Sequence, residues 1–457
     1  MSILRFLFLF VGFCMSAADW PTYMGDDARS GVSFEQLKLP LEQSWIHQPL
    51  HAPRPAWRGP AKADFYNNQL KLKNRQMFDH AFHVIADAKH VYFGSSADDQ
   101  VHCLDLNSGE ERWAFFTEGP VRFAPTLHDG RLYVGSDDGH AYCLSTDGKS
   151  IWKKLLAPRD YRVAGNNRII SAWPLRTGIL VRDEIAYAGA GMFPKEKVYL
   201  MALDSVNGEL KWSEEQKEWP AQGYLLLSES RVFVPTGRSN PIVYNRNNHK
   251  RDKGAEKALA GSRDAFTLIK WGGEFQSNQR QNGRVLGSVE GEKQDSFATF
   301  TGNHMIVADG KSYLQANGEL TILDRMRYRK LLPGFADKVK ETNGLKKERD
   351  QLKAKGSPEL AKAEQRLTAS SKELEKNRAD IRKCVLWRTP CKQRYALILA
   401  GDTLFAGGEN EVVAYSAKDK ERVWSSPVNG KAMGIAVAHG RLLVSTDKGT
   451  IHCFGAK

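Results

Sequence analysis

The sequence predicts an all-β fold, an eight-bladed β-propeller with an inserted antiparallel helical hairpin, and three observations support this prediction. A strand-like pattern recurs with a period of about 40 residues, which is typical of a propeller blade with four strands. A tryptophan stands at the end of most copies of the pattern. One stretch rich in Lys, Glu, Arg and Ala interrupts a late copy, and this composition favours helices.

The repeat is clearest in the first third of the chain. Val91–Ser95 returns as Leu132–Ser136, and Val101–Asp105 returns as Ala141–Leu144 with the same order of residue types. These runs are rich in β-branched and aromatic residues and are separated by turns with Asp and Gly, which indicates strands. Weaker copies follow. Inner strands are predicted to begin near Phe82, Phe123, Ile170, Gly223, Ala265, Phe297, Tyr395 and Ala432.

The ring of blades is predicted to close through the N-terminal part of the chain. The last copy ends near Ile451–Phe454 without a fourth strand, while residues 41–46 carry a fourth-strand pattern with no strands before it. Pairing of the two would remove open sheet edges, which otherwise invite aggregation. We therefore predict a propeller over residues 19–457, closed by the strand 41–46.

Tryptophan and cysteine residues recur at fixed places in the repeat. The tryptophans are predicted to pack between adjacent sheets, and they are Trp45, Trp113, Trp152, Trp212, Trp387 and Trp424. Cys103, Cys143 and Cys453 share one repeat position, so we expect them to be small core residues. Only Cys384 and Cys391 are close enough in sequence to suggest a disulfide, and free thiols remain the alternative.

The interrupting stretch is predicted to be a helical hairpin over residues 336–383, inserted in blade six between its third and fourth strands. The segment Lys355–Pro358 breaks it into two arms, with Ser357 as a cap before a proline. Leu360, Leu367 and Leu374 are seven residues apart, which is typical of a coiled-coil seam. Two interpretations stay open: a solvated spacer, or a docking arm for another envelope protein.

Residues 1–18 are predicted to be a secretory signal peptide. Arg5 supplies a positive charge, Phe6–Phe13 is a short apolar run, and small residues precede a cleavage site before Asp19. No later stretch is apolar enough for a transmembrane helix, so we predict a secreted or periplasmic protein. The net charge of +13 favours anionic partners. We expect that charge to be diffuse, and no nucleic-acid partner is predicted.

A long connection between blades two and three is the candidate binding site. Residues 157–168 form a much longer link than residues 117–122 at the preceding position. Long loops on rigid scaffolds often bind ligands. The alternative is that these side chains only tie the loop to its scaffold. The candidate residues for an anionic or saccharide ligand are Arg159, Arg162, Asn166, Asn167, Arg168, Trp173 and Arg176.

These motifs resemble a known family. Val91–Ser95, Asp99, Ser108–Glu110 and Trp113 are similar to the repeat of pyrroloquinoline-quinone (PQQ)-type β-propellers, and Asp19–Gly25 resembles the mature start of secreted bacterial members. The resemblance implies the fold but no single activity. The superfamily includes quinoprotein dehydrogenases and also scaffolds without a cofactor, such as the propeller lipoprotein of the outer-membrane β-barrel assembly machinery.

The resemblance leaves two functions open. Quinoprotein alcohol dehydrogenases have an adjacent Cys-Cys pair against the quinone and a Ca²⁺ ion, whereas this sequence has neither a Cys-Cys pair nor a Cys-x-x-Cys-His haem motif. We therefore predict a non-catalytic binding or scaffolding protein with no metal and no cofactor, whose partner is an envelope protein or an anionic or saccharide ligand. The alternative is a PQQ- and Ca²⁺-dependent dehydrogenase of alcohols or sugars with an external electron acceptor, because glucose-type members lack the Cys pair.

Overall fold

The computed structural model describes most of the chain, and the described part is mostly β. The described residues are 18–56, 78–165, 168–236, 241–253, 266–270, 284–290 and 295–456. Within them, the strands form small antiparallel sheets, and there are two α-helices and one short 3-10 helix at Pro194–Glu196. No helix of this part is long and apolar enough to cross a bilayer.

Two short strands near the N-terminus precede two regular four-stranded sheets. Strands of the clearest repeats bury both faces, because Val91, Tyr92 and Phe93 are all shielded from solvent. Each sheet follows chain order. The strands are β1 (Val32–Ser33), β2 (Leu41–His47), β3 (Val84–Ala86), β4 (His90–Ser95), β5 (Gln100–Asp105), β6 (Glu111–Phe116), β7 (Thr126–His128), β8 (Arg131–Gly135), β9 (His140–Ser145) and β10 (Ser150–Leu155).

The predicted loop after β10 contains a two-stranded sheet. Its strands are β11 (Arg162–Gly165) and β12 (Arg168–Ser171), and they pair only with each other. The prediction of an inner strand near Ile170 was therefore wrong, because Ile170 pairs with Val163 across this small sheet. The next four-stranded sheet consists of β13 (Leu180–Arg182), β14 (Ile185–Ala190), β15 (Val198–Asp204) and β16 (Leu210–Gln216).

Two three-stranded sheets and one four-stranded sheet follow. Phe297 lies in the third strand of the second of these sheets, so the inner strand predicted there was misplaced, and the next sheet begins at His304. The strands are β17 (Leu226–Leu227), β18 (Arg231–Val234), β19 (Ile242–Asn245), β20 (Phe266–Lys270), β21 (Arg284–Glu290), β22 (Asp295–Gly302), β23 (His304–Ala308), β24 (Lys311–Ala316), β25 (Glu319–Asp324) and β26 (Val385–Pro390).

The two α-helices lie between β25 and β26, which pair directly with each other. They are α1 (Arg325–Ala354) and α2 (Leu360–Arg382). Helix α1 begins earlier than the predicted residue 336, because the Asp324 side chain accepts a hydrogen bond from the Arg327 amide at 2.9 Å and so caps the helix there. The Asp324 amide also donates to the Cys384 carbonyl at 2.7 Å, so the two ends of the insertion are adjacent.

The remaining six strands form one continuous eight-stranded sheet together with β1, which pairs parallel with β27, and β2. They are β27 (Ala396–Ala400), β28 (Thr403–Gly407), β29 (Glu409–Ser416), β30 (Arg422–Ala438), β31 (Arg441–Thr446) and β32 (Ile451–Ala456). The first half of β30 pairs with β29 and its second half with β31, so this long strand joins two four-stranded units. Strand β2 pairs antiparallel with β32, with Trp45 opposite Cys453.

The repeated tryptophans pack between neighbouring sheets, as predicted. Trp212 contacts the rings of Tyr244 and His249. In the other five cases the indole Nε1 donates to a backbone carbonyl of the next sheet, at 2.9 to 3.3 Å. These pairs are Trp45 with Leu106, Trp113 with Thr146, Trp152 with Ser205, Trp387 with Ala417, and Trp424 with Leu41.

One of the two predictions on the cysteines is confirmed and the other is wrong. Cys103, Cys143 and Cys453 are fully buried at one repeat position, as expected. Cys384 and Cys391 are free thiols, so the disulfide considered for them is absent. They lie beyond opposite ends of the extended strand β26, roughly 20 Å apart by the rise of a strand, whereas a disulfide needs Cα atoms within about 7 Å.

Candidate functional site

The predicted binding loop is tied to the scaffold by ion pairs. Arg162 pairs with Asp160 at 2.7 Å and with Glu118 at 2.9 Å, and Glu118 lies in the link after β6. Arg168 pairs with Asp99 at 2.9 Å in the turn between β4 and β5. These arginines therefore already have carboxylate partners in neighbouring sheets.

The other candidate residues of this loop lie apart from one another. Arg159 is exposed, with its guanidinium 4.9 Å from the centre of the Tyr161 ring. Trp173 is buried, and its Nε1 donates to the Glu196 carbonyl at 2.7 Å. Arg176 is buried in a separate cluster. Asn166 and Asn167, which were also predicted for the site, lie outside the described residues.

A buried network of two arginines and two aspartates is the most strongly charged cluster of the described interior. The Asp137 carboxylate accepts from Arg122 Nε at 2.6 Å and from Arg176 Nε and Nη2 at 3.0 and 2.9 Å. Arg122 Nη1 also donates to Asp79 at 2.9 Å. Burial alone would raise the pKa of Asp137, but the two guanidinium groups outweigh burial and hold this pKa below its usual range.

The network links loop and turn segments that belong to three different sheets. Asp137 lies in the turn between β8 and β9, Asp79 precedes β3, and the two arginines precede β7 and β13. Sequence reasoning missed this cluster, although a signal exists: Arg122 and Arg176 each stand four residues before the first strand of a sheet. The arrangement neutralises each charge inside the protein, so it fits a structural clamp better than a free anion site.

The N-terminal segment Trp20–Ser33, which we call the axial segment, runs across the first strands of several sheets. First strands line the central channel of a propeller, so the segment lies on the axis of the fold. Its backbone carbonyls accept hydrogen bonds of 2.7 to 3.0 Å from these strands. The pairs are Trp20 with Ala86 in β3, Pro21 with Leu127 in β7, Asp27 with Leu227 in β17, and Gly31 with Leu399 in β27.

Side chains of the axial segment fill the space beside these strands. Tyr23 stacks on Tyr224 with ring centres 3.8 Å apart, and Arg29 lies 5.3 Å from the centre of the same Tyr224 ring. Arg29 Nε donates to the Leu225 carbonyl at 2.8 Å. His83 contacts Tyr23 edge-on at 4.9 Å, and burial lowers the pKa of His83 to about 4. The described part of the axis is thus packed with aromatic and cationic groups.

The sheet architecture and the repeat define the protein as a PQQ-like β-propeller. The family model described as outer membrane protein assembly factor BamB matches residues 54–218, 116–248 and 384–457. These matches cover more than half of the chain, and the chain belongs to this family. A search of curated proteins finds no significant match.

Solved structures agree on the fold. Quinohemoprotein alcohol dehydrogenase from Comamonas testosteroni is similar at a TM-score of 0.58 and 12% identity, covering 96% of this chain and 80% of that one. A europium-containing methanol dehydrogenase has a TM-score of 0.55 and 9% identity, with 96% and 98% covered. The designed protein Ika8 has a TM-score of 0.52 and 10% identity, with 83% and 98% covered. At such low identities the likeness shows the fold alone.

The described residues of the axis do not fit a quinone with Ca²⁺. Calcium takes six to eight oxygen ligands, but both Asp137 oxygens and one Asp79 oxygen are held by arginines. Within the described ranges, no group of three or more His, Cys, Asp or Glu side chains is placed to hold a metal ion. The stack of Tyr23 on Tyr224, with Arg29 beside it, fills part of the described axis with the chain's own side chains.

Proposed function

We propose that this chain is a non-catalytic β-propeller of the cell envelope that binds or scaffolds other envelope proteins. Export through the signal peptide 1–18 would place it in the periplasm or outside the cell. One face would carry the loops around the Arg–Asp network, and the helical hairpin would project from the other. An anionic or saccharide ligand at the loop face is part of the same proposal.

The proposed propeller has eight blades and is closed by strand β2. The pairing of β2 with β32 supports closure, because it supplies the fourth strand of the last four-stranded unit. The bond from Trp424 to Leu41 and the bond from Trp45 to Leu106 support it further, since they tie this unit to the sheets on both sides. The two three-stranded sheets would be the blades between β16 and β23.

One observation carries the non-catalytic assignment: the chain's own axial segment fills the described part of the axis. Tyr23 and Arg29 are held by stacking and by hydrogen bonds to Tyr224 and Leu225. Their displacement would leave a buried guanidinium without its partners, which is strongly unfavourable. Membership in the family described as outer membrane protein assembly factor BamB supports a scaffold as well.

The test is a titration of the purified chain with PQQ and Ca²⁺, followed by calorimetry and by dye reduction with simple alcohols and sugars. An apo-quinoprotein dehydrogenase in the same buffer serves as the positive control. We expect no saturable heat and no dye reduction from this chain. Tight binding together with substrate-dependent reduction would contradict the proposal and establish the PQQ-dependent dehydrogenase instead.

A further inference from the structure

The positive charge of the chain is concentrated on the helical hairpin. Residues 325–383 contain 18 Lys and Arg but only nine Asp and Glu, so they carry +9 of the total net charge of +13. The expectation of a diffuse charge was therefore wrong. The rest of the chain carries only +4, so the hairpin holds most of the net positive charge.

The large apolar side chains of the hairpin are buried or half-buried in the described structure, with one exception. Leu345 of α1 and Ala363 of α2 are buried, and the Thr342 and Ser370 hydroxyls are hydrogen-bonded at 2.8 Å in the same seam. Of the large hydrophobic residues of α1 and α2, Met326 alone is strongly exposed within the described structure. A stable protein interface normally has a desolvated apolar centre. The outer surface of this hairpin has no such apolar centre among the described residues.

Part of the cationic surface is neutralised within the hairpin. Lys338 pairs with Glu341 and Glu373, and Arg366 pairs with Glu348. Many other basic side chains have no carboxylate within 4 Å among the residues that the structure describes. They are Lys330, Lys340, Lys346, Lys347, Lys353, Lys355, Lys362, Lys372, Lys376 and Arg382. The surface that remains is rich in Lys and surrounds both helices.

We propose that the helical hairpin docks on an anionic phospholipid surface. Lysines near such a surface are attracted by its negative surface potential, and this attraction requires no shaped pocket. An acidic protein partner would need the apolar centre that the hairpin lacks. This inference goes beyond the scaffold function and does not depend on it, because a propeller enzyme with the same hairpin would dock equally well.

The position of the hairpin allows such docking without obstructing the sheets. It leaves between the third and fourth strands of its sheet, whereas the Asp137 turn lies between the second and third strands of its own. Antiparallel strands place these two kinds of turn at opposite ends of a sheet. The 23 residues of α2 extend about 35 Å at 1.5 Å per residue. The tip near Lys346 and Lys353 would therefore reach a membrane while the loop face stays free.

The test is sedimentation of the full chain with vesicles of phosphatidylcholine alone or with about 30% phosphatidylglycerol, at about 50 mM and 500 mM NaCl. The docking variant, which we call the tip variant, carries Lys346→Glu, Lys347→Glu and Lys353→Glu in the half of α1 nearer the tip. The matched control changes three exposed lysines outside the hairpin to Glu, and thus has the same net charge: Lys154, Lys195 and Lys217. Circular dichroism confirms that both variants keep their helices.

We expect the unmodified chain to bind only the anionic vesicles and to release them at high salt, because ions screen the attraction. The tip variant should bind at least ~10-fold more weakly, and the control should bind within about twofold of the unmodified chain. Equal losses in the two variants would overturn the proposal, since net charge alone would then govern binding. Absence of binding to anionic vesicles would overturn it too, as would a preference for duplex DNA at equal phosphate concentration.

Discussion

The sheets and the helical hairpin of this chain are stabilised in different ways. The inner strands of the regular sheets are buried on both faces, and six tryptophans join neighbouring sheets, as in the bond from Trp152 to Ser205. The hairpin buries a narrow seam around Leu345 and Ala363, and most of its other side chains are half-buried or exposed. The repeat therefore builds the core, whereas the insertion adds a surface to it. Changes in the sheets should therefore destabilise the whole protein, and changes in the hairpin should not.

The largest loss of stability is expected from the buried network. Asp137→Ala leaves Arg122 and Arg176 buried without their shared carboxylate, which should lower the free energy of unfolding by about 3–5 kcal/mol. Denaturant titration measures this loss. Asp147→Ala is the control, because Asp147 is exposed and pairs only with surface groups. Equal effects of the two substitutions would contradict the structural role of the network.

Loss of a tryptophan between sheets should have a somewhat smaller effect. Trp45→Ala removes a buried indole and its bond to Leu106, so we expect a loss of about 3 kcal/mol and a lower thermal midpoint. Trp219→Ala, at a more exposed indole, should change stability by less than about 1 kcal/mol. A stable Trp45→Ala variant would mean that strand β2 does not close the ring.

His83, which contacts the axial segment, should make the stability of the folded chain sensitive to acid. Its pKa is lowered from 6.5 to about 4, so the unfolded chain takes up a proton between these pH values while the folded chain does not. Stability should therefore be lost as the pH falls from about 6.5 to 4, by up to about 3 kcal/mol. His83→Phe should flatten this part of the stability curve. An unchanged pH dependence in that variant would exclude His83 as its source.

The smallest effect is expected in the hairpin seam. Thr342→Val together with Ser370→Ala removes a buried hydroxyl pair, and should weaken the contact between the helices by about 1 kcal/mol. Hydrogen exchange should detect faster opening of α1 and α2, with unchanged protection in β4 and β8. Faster exchange in the sheets as well would show that hairpin and sheets unfold together.

The sequence predicted those features that recur with the repeat. The tryptophan contacts, the buried position of Cys103, Cys143 and Cys453, and an insertion between two strands all depend on comparing one copy with the next. The pairing of residues 41–46 with the last strand followed from the same comparison, because a missing fourth strand needs a partner. Local patterns also predicted two helices, although the first helix begins earlier than predicted because Asp324 caps it.

Features that depend on contacts between distant parts of the chain were not predicted. The bond from Arg29 to Leu225 joins segments almost 200 residues apart, and no local pattern indicates it. Strand β11 was expected to be part of a loop and β12 an inner strand, because no local pattern indicates that Val163 pairs with Ile170. The candidate arginines Arg162 and Arg168 were identified by position, but their carboxylate partners lie in other sheets.

Removal of the hairpin tests the central distinction between sheets and insertion most directly. Residues Met326–Lys383 would be replaced by a short Gly-Ser bridge, and Arg325 would be kept because it is buried and bonded to Ser312. Since the Asp324 amide already contacts the Cys384 carbonyl, the bridge joins neighbouring strands. We expect one cooperative thermal transition with a midpoint within a few degrees of the unmodified chain. Loss of cooperative melting would contradict the account.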